Sequence, residues 1–381
     1  MTSPFSSALG RFAFELYRNI DEEGNVTVSP LSIHLALLMA LEGARGETAA
    51  EFSAVLALPE GEAGIEKAAR RALDRLTDEQ RGFALSIVNA LWGQVGHPFR
   101  SDYVERIGAR YDAQAHAVDF AADPEAVRGV INGDIATTTR DRIPELIPIG
   151  MIDADTRLVL TNAVWFKAAW SSPFEPDRTA PAPFHLASGG TTDVPTMHDD
   201  ATVSYFEDDR VQVVQLPYED DDIVMDVVLP RPGLEITELE RDLSVDTWRS
   251  WTKSASSTSV ALHLPRFEMK CDLGLAEALD RMGLHQAFEV DRADFGGIDG
   301  GAGALVITEV LHSAWIKVEE GGTEAAAATA VVFMTGAIGI PAELPLEFRA
   351  DRPFLFAIRQ RATGILLFLG RVSDPRANPT E

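Results

Sequence analysis

Glu319-Glu320-Gly321-Gly322-Thr323-Glu324-Ala325-Ala326-Ala327-Ala328-Thr329 decides how this chain is read. It lies between two strongly apolar, strand-like runs, residues 307–318 before it and 354–358 after it, the second following a Gly/Pro-rich passage. An alanine run favours helix, but paired glycines precede this one and it carries no apolar stripe with which a helix could dock. Read with period two, Thr323, Ala325, Ala327, Thr329 and Val331 share one face, while Glu324, Ala326, Ala328 and Ala330 share the other. Nothing on either face is bulky before Val331, so such a strand could slide between two existing strands without displacing a core. The segment is suited to two states, a loop and a strand.

The remaining composition is that of an ordinary globular chain of 381 residues, 46% of them hydrophobic, with ample material for a core. Length alone suggests two domains or more. No proline-rich linker, low-complexity tract or internal repeat divides the sequence, so a single domain over residues 1–381 is expected. Asp and Glu number 59 against 33 Lys and Arg, a formal charge of −26, which argues against nucleic acid or an anionic membrane as partner. The lone Cys271 excludes a disulfide within the chain and speaks against a Cys-ligated metal. Residues 1–8 lack the basic start and apolar run of a secretory signal, and no stretch approaches a transmembrane span. The expectation is a cytoplasmic protein or one whose leader lies outside this sequence, with secretion left open.

Periodicity divides the chain into a helical first half and a strand-rich second half, the pattern of an α+β fold. Phe5, Leu9, Phe12, Leu16 and Ile20 recur at helix spacing before the stop at residues 21–24. A short strand at 25–28 leads to Ser29-Pro30, a cap followed by a first-turn proline, and to a helix carrying Ile33, Leu37, Leu38 and Leu41. Further helices are predicted over 47–56, 62–76 and 124–138, with strands at 83–92 and 157–167. Beyond residue 184 the pattern predicts strands at 202–206, 211–216, 223–229 and 259–264, interrupted by helices at 234–251 and 273–282.

Hydrolase and nucleotide-binding signatures are missing: the chain has no G-x-S-x-G elbow, no H-E-x-x-H and no Walker loop. The glycine-rich residues 296–303 fail the dinucleotide spacing and read as a surface turn. Eight histidines are scattered, with no pair at metal-ligand spacing on one helix face, so neither metal nor cofactor is expected. Ser29, Ser32, Asn162 and His312 each interrupt an apolar run, where an unpaired polar group costs about 1–3 kcal/mol. If they meet in space they satisfy one another. Two readings follow: a serine nucleophile with a histidine base, or a hydrogen-bonded latch that holds strands together and can be remade. Spacing alone leaves both open.

Along nearly its whole length the chain resembles the serpins, a family of serine-protease inhibitors, and it is identified as a disulfide-free, prokaryotic-type member. Asn25-Val26-Thr27-Val28-Ser29-Pro30-Leu31-Ser32-Ile33 looks like the segment beneath the family's central sheet. Leu160-Thr161-Asn162-Ala163-Val164-Trp165-Phe166-Lys167-Ala168-Ala169-Trp170, then Pro173-Phe174, is similar to its third central strand and the tryptophan where insertion begins. Leu264-Pro265-Arg266-Phe267 resembles its Leu-Pro-Lys-Phe strand. Residues 312–329 resemble the fifth central strand and the hinge of the reactive loop. Asp351-Arg352-Pro353-Phe354-Leu355-Phe356 and Leu367-Phe368-Leu369-Gly370-Arg371-Val372 resemble the closing hairpin.

The resemblance implies a fold of three β-sheets and about nine helices, with an exposed reactive-centre loop at about 320–345 and a tail at 373–381. It implies an irreversible inhibitor, monomeric and without cofactor, whose partner is a serine protease held as an acyl complex. On this reading Ser29, Ser32, Asn162, His312 and Trp170 belong to the latch and the opening of the sheet, none of them catalytic. Glu320, Gly322, Thr323, Glu324, Ala325, Ala326, Ala327, Ala328 and Thr329 form the hinge. The family's loop length, counted from Thr323, places the reactive bond at Gly336-Ala337, with Met334-Thr335 and Thr335-Gly336 as alternatives. Gly321 departs from the family, which usually has a charged residue there. A non-inhibitory member that binds a small molecule or client is the competing expectation, and the clean alanine hinge weighs against it.

Overall fold

The computed structural model describes residues 3–59, 64–78, 81–96, 99–301, 305–324 and 345–376. Helices Pro4–Asn19, Pro30–Gly43, Gly46–Val55, Ile65–Leu76 and Pro124–Thr138 form close to where apolar spacing places them. Pro30–Gly43 is buried on almost every side, and the Ser29 hydroxyl caps it by accepting the Ser32 N–H. A helix apolar all round belongs in a core, and this one lies under the central sheet.

Three predicted elements are redrawn, each for a local reason. The single helix expected over 234–251 is two, Ile236–Arg241 and Val245–Ser254, because Ser244 caps the second by accepting the Thr247 N–H at 3.1 Å. The helix expected over 273–282 shrinks to Ala276–Arg281, since the preceding strand keeps its pairing as far as Gly274. The glycine-rich turn contains a short helix, Gly296–Asp299, with Gly297 and Ile298 buried. Helix Ser101–Tyr111, which buries Tyr103, Ile107 and Tyr111 along one face, lies beyond the periodicity reading, as do the strands Gln114–Val118, Ala180–His185 and Leu346–Arg349.

The strands begin with β1 (Val26–Val28), β2 (Phe83–Gln94), β3 (Gln114–Val118), β4 (Leu158–Ala169) and β5 (Ala180–His185). There follow β6 (Thr191–Glu207), β7 (Val211–Pro217), β8 (Ile223–Pro230), β9 (Ser256–Pro265) and β10 (Phe267–Gly274). Last come β11 (Glu309–Glu319), the two-residue β12 (Gly322–Thr323), β13 (Leu346–Arg349), β14 (Phe354–Gln360) and β15 (Leu366–Val372). The central sheet runs β10-β11-β12-β4-β2-β3. The second sheet runs β1-β15-β14-β8-β7-β6-β9-β13, with β5 also paired to β6. Among the described residues there are thus ten α-helices and two sheets, where the resemblance implies about nine and three. The 17-residue β6 accounts for the sheets. It pairs with β5 near its start, β9 through its middle and β7 at its end, so it joins in one ladder two parts that could be counted separately.

Two apolar cores result. The larger fills the space between the two sheets and around the first helices. The smaller lies on the outer face of the central sheet, where Val127, Ile131 and Ile135 of Pro124–Thr138 cover Ala163, Trp165, Leu311 and Trp315. The second sheet also buries an ion pair, Asp226 on β8 with Arg359 on β14. The guanidinium donates to both carboxylate oxygens at 2.6 and 3.0 Å, and the Trp248 indole adds a bond of 2.9 Å. Removing one partner of a buried pair strands the other charge. Arg359→Met should therefore cost about 3 kcal/mol of resistance to guanidinium, and a loss well under 1 kcal/mol would contradict the burial of the pair.

Candidate functional site

The hinge begins where β11 ends. After Glu319 the chain reverses and Gly322-Thr323 returns antiparallel between β11 and β4, with Thr323 opposite Val318 and Ala168 and Gly322 opposite Glu319 and Ala169. Only glycine fits at 322. Its φ is +144°, and a Cβ there would overlap the Ala168 carbonyl and lie 2.7 Å from Ala169 Cα. Thr323 is fully buried, its hydroxyl 2.6 Å from that of Tyr218. Tyr218 in turn stacks on Trp170, ring centroids 4.5 Å apart and 14° from parallel.

The turn between β11 and β12 is tied on all sides. The Trp170 backbone N–H donates to the Gly321 carbonyl and its indole N–H to that of Glu319, both at 3.0 Å. The Phe174 N–H donates to the Glu320 carbonyl at 3.0 Å. Burial alone would raise the Glu320 carboxyl, but hydrogen bonds from Arg266, at 2.7 Å, and the Thr179 hydroxyl outweigh it and hold it below the usual range. Glu324 is the last described hinge residue. Its φ of +48° ends the strand, its N–H donates to Lys317 O at 2.9 Å, and its carboxylate accepts from Arg142 Nε at 2.6 Å and from the Trp165 indole. Thr323 and Glu324 thus point to opposite faces of the sheet. Ala325, Ala326, Ala327, Ala328 and Thr329, and the reactive-bond residues Met334, Thr335, Gly336 and Ala337, lie outside the described residues.

Below the hinge, the four polar residues singled out in the sequence do meet. β11 and β4 pair in parallel from Glu309 with Val159 to Trp315 with Trp165, which sets His312 opposite Asn162. The Ser29 backbone N–H donates to His312 Nε2 at 3.1 Å, so the ring proton sits on Nδ1 and is donated to Asn162 Oδ1. The Asn162 amide then donates to Ser32 Oγ and to Asn89 Oδ1. Burial drives the His312 pKa down to about 3, so the ring is neutral. The nitrogen a base would use is taken by the backbone of Ser29, while the Ser29 hydroxyl caps the helix beneath. This arrangement joins two strands to a helix and activates no nucleophile.

Tyr218, Arg266, Thr179, Arg142 and Asn89 complete the site without having been singled out in the sequence. Each contacts a residue more than 50 positions away, and of the five only Asn89, a polar residue in the apolar run 87–92, carries the signal that marked Asn162. Among the described residues no group of three His, Cys, Asp or Glu side chains could hold a metal.

A family model described as Serpin (serine protease inhibitor) matches residues 7–375. An uncharacterized serpin-like protein of Thermococcus kodakarensis is 39% identical over 375 residues, covering 98% of this chain and 86% of that one. A leukocyte elastase inhibitor of Xenopus tropicalis is 34% identical over 386 residues, covering 97% and 99%. The crystal structure of the thermophilic serpin tengpin in its native state matches with a TM-score of 0.87 and 29% identity, covering 98% of this chain and 95% of that one.

The buried histidine makes the latch acid-sensitive. His312 titrates at about 3 when folded and at 6.5 in the free side chain, so on acidification the unfolded state takes up its proton first. Its stabilising contribution is complete above 6.5 and is lost as pH falls from there towards 3. Guanidinium midpoints of wild type and His312→Gln should converge over that window, and a constant difference would count against the bond assignment. At the hinge, Gly322→Ala should expel β12, read as lost hydrogen-exchange protection of the Thr323 and Glu324 amides.

Proposed function

The chain belongs to the serpin family, and on that premise we propose that it is a suicide-substrate inhibitor of chymotrypsin-, elastase- or subtilisin-like serine proteases. One observation carries the reading: Gly322-Thr323 already sits as a strand between β4 and β11, and behind Glu324 only small residues follow, from Ala325 as far as Ala330. Insertion of a serpin loop into its sheet is a known instance of β-strand addition.

In the proposed sequence the protease serine attacks the carbonyl of Gly336. The bond to Ala337 breaks, the new amine departs with the C-terminal part, and Gly336 remains esterified to the enzyme. The chain from Glu324 onward then follows Thr323 between β4 and β11, parting the His312–Asn162 contact as it passes. Side chains on the Thr323 face enter the core, where extra volume would force strain; Ala325, Ala327 and Thr329 are all small. A dozen new strand hydrogen bonds at about 1 kcal/mol net each supply on the order of 10 kcal/mol, comparable to the whole stability of many domains. That is enough to distort a tethered enzyme before it hydrolyses the ester.

No Arg or Lys occurs between Glu319 and Pro345, so trypsin-like enzymes, which need a basic residue in their specificity pocket, find no bait. Phe333, Met334, Thr335 and Ala337 suit the three proposed classes instead. The partner is one protease per inhibitor monomer, held covalently, and no metal or cofactor enters the reaction.

An SDS-stable complex should form with chymotrypsin, elastase or subtilisin but not with trypsin, and N-terminal sequencing of the C-terminal fragment, separated under denaturing conditions, should begin at Ala337. Complex formation with trypsin alone would overturn the specificity. Thr323→Arg should convert the inhibitor into a substrate, because a guanidinium cannot enter beside Tyr218 unpaired. Stable complexes at unchanged stoichiometry would show that this side chain does not face the core during insertion.

A further inference from the structure

The last residues joining β4 directly to β11 are Trp165 and Trp315. Both indoles lie in the apolar cluster under helix Pro124–Thr138, and the turn leaving that helix sets an arginine over each. The Arg140 guanidinium lies 5.2 Å from the Trp165 ring centroid, and that of Arg142 lies 5.4 Å from Trp315, distances at which a cation is drawn to an aromatic face. Arg142 also pairs with Glu324, the last described hinge residue, which accepts the Trp165 indole N–H as well.

The backbone beneath these contacts is unusual. Arg140 and Asp141 have φ of +54° and +60°, two consecutive non-glycine residues in the left-handed region, a conformation that persists only when its surroundings enforce it. Buried Thr139 anchors the turn. Its hydroxyl donates to Ile135 O at 2.8 Å and accepts the Ile143 N–H at 3.2 Å, while the Asp141 N–H donates to Ala136 O at 2.8 Å.

We infer that the turn bearing Arg140 and Arg142 is a clasp that sets the rate of loop insertion, by fastening β4 to β11 at the place where the hinge stops. The inference rests on the inhibitor reading and adds to it which residues govern how fast the loop enters. Neighbouring strands lie about 4.8 Å apart. A strand inserted beyond Glu324 separates Trp165 from Trp315 by twice that spacing, and two arginines on one rigid turn cannot cover both rings at the wider distance. The clasp therefore stabilises the native form and contributes nothing to the inserted one. Arg140 and Arg142 are positioning residues: they touch no protease, and they act through the strands.

The test uses intact Arg140→Ala/Arg142→Ala and, separately, Trp315→Val, each warmed without protease while conversion to a guanidinium-resistant, inactive form is followed. The double variant should convert about tenfold faster than wild type, equivalent to about 1.4 kcal/mol off the barrier, and Trp315→Val should move in the same direction. Loop-clipped wild type and the loop-clipped double variant should unfold at the same guanidinium concentration, a result that mere damage to the fold would not give. Unchanged or slower conversion in both variants, or a destabilised clipped form of the double variant, overturns the clasp. Clipped wild type is the control: with no gain in resistance over intact wild type, the inhibitor reading fails and the clasp falls with it, whereas a gain in wild type with unmoved variant rates overturns the clasp alone.

Discussion

β4 and β11 are hydrogen-bonded to each other in parallel over seven residue pairs and then stand apart by the width of one strand, which β12 fills. The polarity of that filler matters most. β12 runs antiparallel to both neighbours, so each residue that follows it into the sheet exchanges one parallel contact for antiparallel contacts on two sides. Parallel pairing is the slightly weaker of the two per residue. On the inhibitor reading proposed above, the sheet gains stability from an extra strand, and the fork is where that exchange begins.

The fork between β4 and β11 is covered on both faces. On the inner side, the Ser29–His312–Asn162–Ser32 chain joins β11 and β4 to the N-terminus of helix Pro30–Gly43. On the outer side, Pro124–Thr138 lies across the same strands, and a passing strand has to lift it. These contacts are individually modest, and on the inhibitor reading they oppose the first opening of the sheet. On that reading the native form is kept by a barrier, and its persistence is measured by a rate.

Much of this was legible in the sequence because the hinge is a violation of ordinary patterning. An alanine run with no stripe, placed after two glycines, fits neither a surface helix nor a core strand, and the two-state reading follows from that mismatch. Ser29, Ser32, Asn162 and His312 were legible for a similar reason, as polar residues in apolar runs, although only the direction of the Ser29 N–H separates a latch from a catalytic pair. Tyr218, Arg142 and Arg266 were not legible. Tyr218 ends a strand behind Pro217 like any boundary aromatic, and Arg142 sits in a turn whose left-handed backbone no glycine or asparagine advertises. The division of the helix expected over 234–251 depended on a single serine cap, and the merging of two sheets on the unbroken length of β6. The first is a local cap that the apolar spacing runs across, and the second is decided by tertiary pairing more than by local propensity.

β13, β14 and β15 come after the loop in the sequence, yet β14 and β15 lie inside the second sheet, flanked by β8 and β1. All seven residues of β14 are buried. Asn25, at the far end of the chain, holds the backbone of Ser373 and Asp374 through three hydrogen bonds. A cut anywhere in residues 325–344 thus makes two polypeptides without making two bodies. The short piece is a load-sharing part of the framework, and on the inhibitor reading its staying in place lets the severed end ahead of it travel through a scaffold that keeps its shape.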